Sequence, residues 1–241
     1  MKFRRALITG ASGGIGSGIA LKLAANGVDI IVHGRDVTAL EKIRVGVKNC
    51  LVLSGDLSCD RVIDDLVFQS ADIDLLINCA GFARSGPFYN QPWSDISEQL
   101  NVNLIAVTKL CHRFLRLMSE AGGGTILNIG SSASFGAAPN LAVYAAAKSY
   151  VQSLSRSLQC ESKDVRVKCL IPGPTNTAFA FRAQIERRSK GLDPDVVVKH
   201  ALNLLQSDRA RALSGNATAF KALIKFALPD GLQCFLQKRF R

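Results

Sequence analysis

The chain has 241 residues, of which 48% are hydrophobic and 20% charged. That composition supports a large packed core and excludes wholesale disorder, and no apolar run approaches the roughly 18 to 20 residues needed to span a bilayer. The net charge of +11 is uneven, with 12 Lys/Arg against 5 Asp/Glu in residues 182 to 241, and a basic end attracts acidic surfaces such as anionic lipid, protein or nucleic acid. Nucleic acid is disfavoured, because the basic residues are scattered with little aromatic interleaving. Met1 to Arg5 runs straight into a strand-like stretch with no small-residue cleavage site, so no secretory signal is expected. The seven cysteines are odd in number and form no CxxC. They read as reduced thiols of a cytoplasmic protein, not as a disulfide framework or a zinc site, and no metal is expected.

In chain order, apolar β-branched runs of strand length recur at Ala6-Leu7-Ile8, Ile30-Ile31-Val32, Leu51-Val52-Leu53, Leu75-Leu76-Ile77, Ile126 to Ile129 and Val167 to Ile171. Most are continuous, as expected of strands covered on both faces. Helical spacing lies between them: Ile15, Ile19 and Leu23; Leu104, Val107, Leu110, Cys111 and Phe114; Val151, Leu154 and Leu158. This alternation predicts an α/β fold of three layers, a Rossmann-type doubly wound parallel sheet flanked by helices. No linker divides residues 1 to 215, which form one expected catalytic domain.

The first strand ends in Thr9-Gly10-Ala11-Ser12-Gly13-Gly14-Ile15-Gly16, which opens the first helix. Glycines let a backbone turn tightly and approach a pyrophosphate, and a helix N-terminus offers free N–H groups to phosphates. The spacing is G-x3-G-x-G, so this turn is a candidate dinucleotide cradle. The second strand ends in Val32-His33-Gly34-Arg35-Asp36. Gly34 stands where an acid selecting NAD would be expected, and the Arg35 fork suits a 2′-phosphate. NADP(H) is therefore favoured over NAD(H), although Asp36 stands near enough to reach a ribose. Later, Tyr144 and Lys148 stand at i and i+4 at the start of a helix, on one face. A neighbouring ammonium lowers the pKa of a phenol from its usual value near 10, so Tyr144 is expected to be made more acidic by Lys148. A shift of about three units corresponds to about 4 kcal/mol, so a second positive charge, an oxidised nicotinamide ring, is expected to help. Ser131 follows the strand Ile126 to Ile129 and places a hydroxyl at the carboxyl edge of the sheet, where ligands of such folds bind. Ser132 is the alternative.

Together these motifs resemble the short-chain dehydrogenase/reductase family, from residue 4 to about residue 180. Thr9 to Gly16 is similar to its TGxxxGxG, Asp56-Leu57 to the acid that contacts adenine, and Asn78-Cys79-Ala80-Gly81 to NNAG, with Cys79 in place of the second Asn. Asn103, Ser131, Tyr144 and Lys148 match the catalytic tetrad, and Pro172-Gly173-Pro174-Thr175-Asn176-Thr177 the segment beside the nicotinamide. The resemblance implies that Gly10, Ser12, Gly13, Gly14, Ile15, Gly16, Arg35, Asp56, Leu57, Asn78, Ala80, Gly81, Pro172, Gly173, Thr175 and Thr177 hold the cofactor, with Tyr144 and Lys148. It also implies that Tyr144 exchanges a proton with the carbonyl oxygen or alcohol, Lys148 binds the nicotinamide ribose, Ser131 holds the carbonyl, and Asn103 positions a water. The expected activity is NADPH-dependent reduction of a carbonyl. The same residues serve the reverse oxidation of secondary alcohols or hydroxysteroids, and a non-catalytic NADP-binding or membrane-docking module is the third reading.

The segments Ser132 to Val143 and Ala178-Phe179-Ala180-Phe181 are small or apolar, which suggests an apolar ketone or 3-oxoacyl substrate. Ala210 to Gly215 reads as a short remnant strand. After it, Phe220, Leu223, Ile224 and Ala227, then Leu232, Phe235, Leu236 and Phe240, repeat at helical spacing beside Lys and Arg. Residues 216 to 241 are thus expected to be a basic amphipathic extension, resembling that of reductases linked to acyl-chain or lipid metabolism. Three readings stand: a cap over the substrate cleft or a dimer face, a peripheral membrane anchor, and a solvated tail. The expected assembly is a homodimer instead of the tetramer common in the family.

Overall fold

Each of the six β-branched runs forms a strand in the computed structural model, which describes residues 3–185 and 191–215. The strands are β1 Arg5–Thr9, β2 Asp29–Gly34, β3 Cys50–Ser54, β4 Leu75–Asn78, β5 Gly124–Ile129 and β6 Val165–Pro172, and the expected remnant is a seventh, β7 Arg211–Ser214. They make one sheet in the order β3-β2-β1-β4-β5-β6-β7, with every neighbouring pair parallel. The strand order reverses between β1 and β4. There the connections leave to opposite sides and open a crevice at the carboxyl ends of the strands.

The helices are α1 Gly14–Ala25, α2 Val37–Val45, α3 Asp60–Gln69, α4 Trp93–Leu100, α5 Ala106–Glu120, α6 Ala142–Glu161, α7 Ala178–Arg182 and α8 Pro194–Gln206. Alternate strand residues face opposite layers. Ala6, Ile8, Ile30, Val32 and Ile77 pack against Ile19 and Leu23 of α1, Leu40 of α2, and Val197 and Leu204 of α8. Leu7, Ile31, Leu76 and Ile126 pack on the other face against Ile63 of α3, Phe114 of α5 and Val151 of α6. Both faces are therefore buried, which is why the runs read as continuous. A fully buried aliphatic side chain contributes about 1.5 to 3 kcal/mol, so these two layers supply most of the driving force.

Helix termini are marked by local chemistry. Asp36 caps α2 by accepting from the Ala39 N–H at 3.0 Å, and Asp193 with Pro194 starts α8. By contrast α1 begins at Gly13 with no side-chain cap and no acid in its first turn. Residues Asn101–Ile105 form a π-turn between α4 and α5, where the sequence pattern suggests only a continuous helix. On β6, buried Lys168 donates to the carbonyls of Ser207 at 2.7 Å and Arg209 at 2.8 Å, tying down the turn before β7. The six cysteines among the described residues are free thiols. Among the described residues no helix is long and apolar enough to cross a membrane, and no cluster of three or more His, Cys, Asp or Glu could hold a metal. The basic extension 216–241 lies outside the described residues.

Candidate active site

The glycine turn works by close approach. Gly10 has φ +67°, and a Cβ there would stand 2.6 Å from Ala80 Cα and 2.7 Å from its nitrogen. Gly16 is equally tight, since its Cβ would lie 2.5 Å from the Gly10 carbonyl oxygen. The turn therefore lies flat against the end of β4, and Thr9 Oγ1 accepts from the Cys79 and Ala80 N–H groups at 3.2 Å each. Because α1 has no side-chain cap, its first N–H groups are available to an anion. Above them is a cleft of about 340 Å³. Gly10, Ser12, Gly13, Gly14, Ile15 and Gly16 line it, with Arg35, Asp56, Leu57, Ala80, Gly81 and Thr177. A glycine cradle, an uncapped helix N-terminus and the Arg35 wall fit a dinucleotide. A larger groove of about 650 Å³ lies between α5 and α6, and no motif residue opens into it.

At the far end of the cleft, a Cβ on Gly34 would come 2.7 Å from Ser12 Oγ, so a side chain there would make the Ser12 hydroxyl move. The Asp36 carboxylate is engaged as the α2 cap. Arg35 points across the cleft, donating through Nη1 to Asp56 at 3.2 Å and Glu98 at 3.1 Å, with its guanidinium 5.7 Å from the Phe82 ring centre. Asp56 also accepts from the Ser58 N–H at 2.8 Å, and these bonds together with Arg35 outweigh its desolvation and hold its carboxyl below the usual range.

His33 lines the same wall, is 2% exposed, and has no hydrogen-bond partner on either ring nitrogen among the described residues. Burial pushes its pKa down from 6.5 to about 4, partly offset by the Asp56 carboxylate. The unfolded chain therefore takes up a proton near pH 6.5 that the folded chain accepts only near pH 4. The stability tied to this neutral ring is complete above pH 6.5 and declines as pH falls toward 4. Between about pH 7.5 and about pH 4.5, the native protein is expected to lose roughly 2 to 3 kcal/mol more than a His33→Leu variant. Urea melts at the two pH values check this, and parallel losses in both proteins would remove His33 as the cause.

The catalytic group lies beside the cleft, at the ends of β4, β5 and β6. Tyr144 and Lys148 share the first turns of α6, and the Lys148 ammonium is 5.9 Å from the Tyr144 ring centre. Lys148 is buried and donates to the Ile129 carbonyl at 2.8 Å. Ser131 caps the short turn Ser132–Ser134, accepting from the Ala133 N–H, and its hydroxyl lies near enough to the Tyr144 phenol to favour the phenolate. That places Ser131, not Ser132, against Tyr144. Among the protein's own groups burial prevails and pushes the Tyr144 pKa up to about 12, so Lys148 alone does not make the phenol more acidic. Burial likewise lowers the pKa of Lys148. The sequence shows the ammonium one turn away but not the apolar wall of Phe179, Leu141, Ala83 and Ala183 around the phenol.

Asn103 is buried in the π-turn, and its side chain clamps one residue of backbone. Its Oδ1 accepts from the Phe82 N–H at 3.1 Å, and its Nδ2 donates to the Phe82 carbonyl at 2.7 Å. Both polar atoms of the side chain are thus committed to the loop instead of to a water. Gly81 joins the two parts of the site, because a Cβ there would lie 2.7 Å from Asn103 Oδ1 and 3.5 Å from Lys148 Nζ.

Asn78, Pro172, Gly173 and Thr175, also expected at the cofactor, do not line this cleft. Asn78 is buried and its Nδ2 donates to Asn128 Oδ1 at 2.8 Å, while Asn128 Nδ2 donates to Ser155 Oγ at 2.9 Å. Its amide therefore ties β4 to β5 and α6 and does not reach the ligand space. Pro172 and Gly173 end β6, and the Thr175 hydroxyl donates to the Gly173 carbonyl at 2.9 Å, shaping the turn that presents Thr177. Residues not foreseen also line the cleft: His33, Phe82, Arg84 and Arg182. Phe82 directly follows the Asn78 to Gly81 motif, a position from which it could have been found.

The profile described as short chain dehydrogenase matches residues 4–187. The chain belongs to the short-chain dehydrogenase/reductase family. Among solved structures of this family, a short-chain dehydrogenase from Sphingobium yanoikuyae in complex with NADPH superposes with a TM-score of 0.84 at 28% identity, covering 99% of this chain and 96% of that one. The bulky-bulky ketone specific alcohol dehydrogenase from Comamonas testosteroni superposes with a TM-score of 0.78 at 26% identity, over 100% and 96%. The inactive hydroxysteroid dehydrogenase-like protein 1 of Rattus norvegicus is 31% identical over 84% of this chain and 66% of that protein. The family and its Rossmann-type sheet are thus those of nicotinamide-dependent oxidoreductases. A relative named as inactive makes the catalytic group, not membership, the basis for any claim of turnover.

Proposed function

We propose that the chain is an NADPH-dependent reductase of an apolar ketone or 3-oxoacyl substrate, with Tyr144 as general acid. The observation that carries this reading is the buried Tyr144 phenol, near Ser131 and packed in an apolar wall beside Lys148. A phenol with a pKa near 12 stays protonated at neutral pH and releases its proton only as an alkoxide develops next to it, which is the acid step of a reduction. Ser131 orients the carbonyl oxygen toward that proton. Lys148, fixed by the Ile129 carbonyl, offsets the negative charge left on the phenolate and would hold the nicotinamide ribose. When bound, the nicotinamide supplies the hydride. The walls formed by Phe179, Leu141, Ala83 and Ala183 exclude water and suit an apolar substrate. The ketone-specific relative supports the same substrate class.

NADPH consumption followed by absorbance against apolar ketones, 3-oxoacyl thioesters and steroids tests the reading. Absence of turnover on every class with either cofactor would overturn it. The phosphate preference rests on Arg35 and the missing side chain at Gly34. Arg35→Ala is expected to weaken NADPH by about 1.5 to 3 kcal/mol, the worth of one charge-assisted contact, and to leave NADH nearly unchanged. Titration of both dinucleotides checks this, and equal weakening of the two would defeat the assignment.

A further inference from the structure

The arginine assigned to the phosphate already has anionic partners. Glu98 reaches it from α4, 63 residues away in sequence, at 3.1 Å from Nη1, the same nitrogen that serves Asp56 at 3.2 Å. The Asp56 carboxylate also folds the turn after β3 by accepting from the Ser58 N–H. The Glu98 side chain shapes no turn of its own, and among the described residues its polar partner is Arg35. One turn earlier on α4, Asp95 stands 3.8 Å from Arg84, whose guanidinium lies 5.5 Å from the centre of the same Phe82 ring that Arg35 covers. One face of α4 therefore draws two arginines over Phe82, and one of the two is the cofactor-selecting residue.

The charges compete at this point. Two carboxylates already outnumber the single guanidinium of Arg35. A phosphate dianion arriving on Arg35 meets Glu98 within a few ångströms of the same nitrogen, where like charges repel and where the donor is already engaged. The side chains of Arg35 and Glu98 are 58% and 29% exposed, so the pair contributes little to folding and is free to open. We propose that Glu98 is a specificity-determining residue that competes with the cofactor 2′-phosphate for Arg35 and so restrains the preference for NADP(H) over NAD(H). This rests on the reading of Arg35 as the phosphate-binding residue. A dinucleotide without the 2′-phosphate leaves the Arg35–Glu98 pair closed and is indifferent to it.

The test uses the full chain and two fragments that differ only in the phosphate, 2′,5′-ADP and 5′-AMP, titrated by calorimetry. Glu98→Gln keeps the shape and a hydrogen-bond acceptor but removes the charge. It is expected to tighten 2′,5′-ADP by about three- to ten-fold and to change 5′-AMP by less than about two-fold, with the gain shrinking in high salt. The gain is expected to vanish in the Arg35→Ala background. Unchanged or weaker binding of 2′,5′-ADP by Glu98→Gln would overturn the proposal and make Glu98 a support that orients Arg35. If Arg35→Ala alone leaves the ratio of the two fragments as in the native protein, the phosphate reading falls and this inference with it.

Discussion

Tyr144→Phe is expected to lower kcat by about a thousandfold or more, with dinucleotide binding and folding nearly intact. The change removes one oxygen from a buried ring already packed against Phe179 at 5.4 Å between centroids, so the shape of the wall is kept. What disappears is the group that protonates the developing alkoxide. Lys148 does not take over its place, because its ammonium is held by the Ile129 carbonyl at 2.8 Å. Steady-state rates with the best ketone of the panel, alongside NADPH titration and thermal melting, separate the three effects. Retention of kcat within a few fold would remove Tyr144 from the chemistry.

The second large effect is expected at Gly10. A residue with a Cβ at φ +67° incurs a penalty of about 1 to 2 kcal/mol from the left-handed conformation alone. Here the Cβ also meets Ala80 Cα, Ala80 N and the Cys79 carbonyl carbon within 2.9 Å. Those atoms are backbone at the end of a central strand flanked by β1 and β5, so they cannot yield as a side chain could. Gly10→Ala is therefore expected to destabilise the fold by about 3 kcal/mol or more and to abolish dinucleotide binding, because the turn must lift off β4. Urea unfolding monitored by circular dichroism and NADPH titration check both parts. Native stability with native affinity would show that the close approach is dispensable.

The central strands are legible in the sequence because they are buried on both faces and read as unbroken apolar runs, as Ala6 to Ile8 and Leu75 to Ile77 do, whereas the edge strand β3 leaves Leu51 exposed. The glycine turn, Ser131, Tyr144 and Lys148 are legible because their roles depend on local spacing or on a strand end. Other features depend on what folding brings near. Glu98 and Arg35 are far apart in the chain, and only the packing of α4 beside the end of β2 sets them 3.1 Å apart. The same limit applies to Asn78: a motif marks it as near the strand ends but not that its amide turns to Asn128. The direction of the Tyr144 shift escapes the sequence for a related reason. Sequence reveals the ammonium one turn away, whereas desolvation is set by Phe179, Leu141, Ala83 and Ala183, brought in from elsewhere in the chain. The π-turn at Asn101–Ile105 has no marker in apolar periodicity, since one inserted residue shifts the helix phase without breaking it.

The bare start of α1 has a thermodynamic corollary. Its sister helices α2 and α8 finish their own first turns with aspartates, but α1 has only glycine there. A dinucleotide seated there would complete that turn, and by binding the folded chain alone it would shrink the population exposed to unfolding and proteolysis as the coenzyme pool fills.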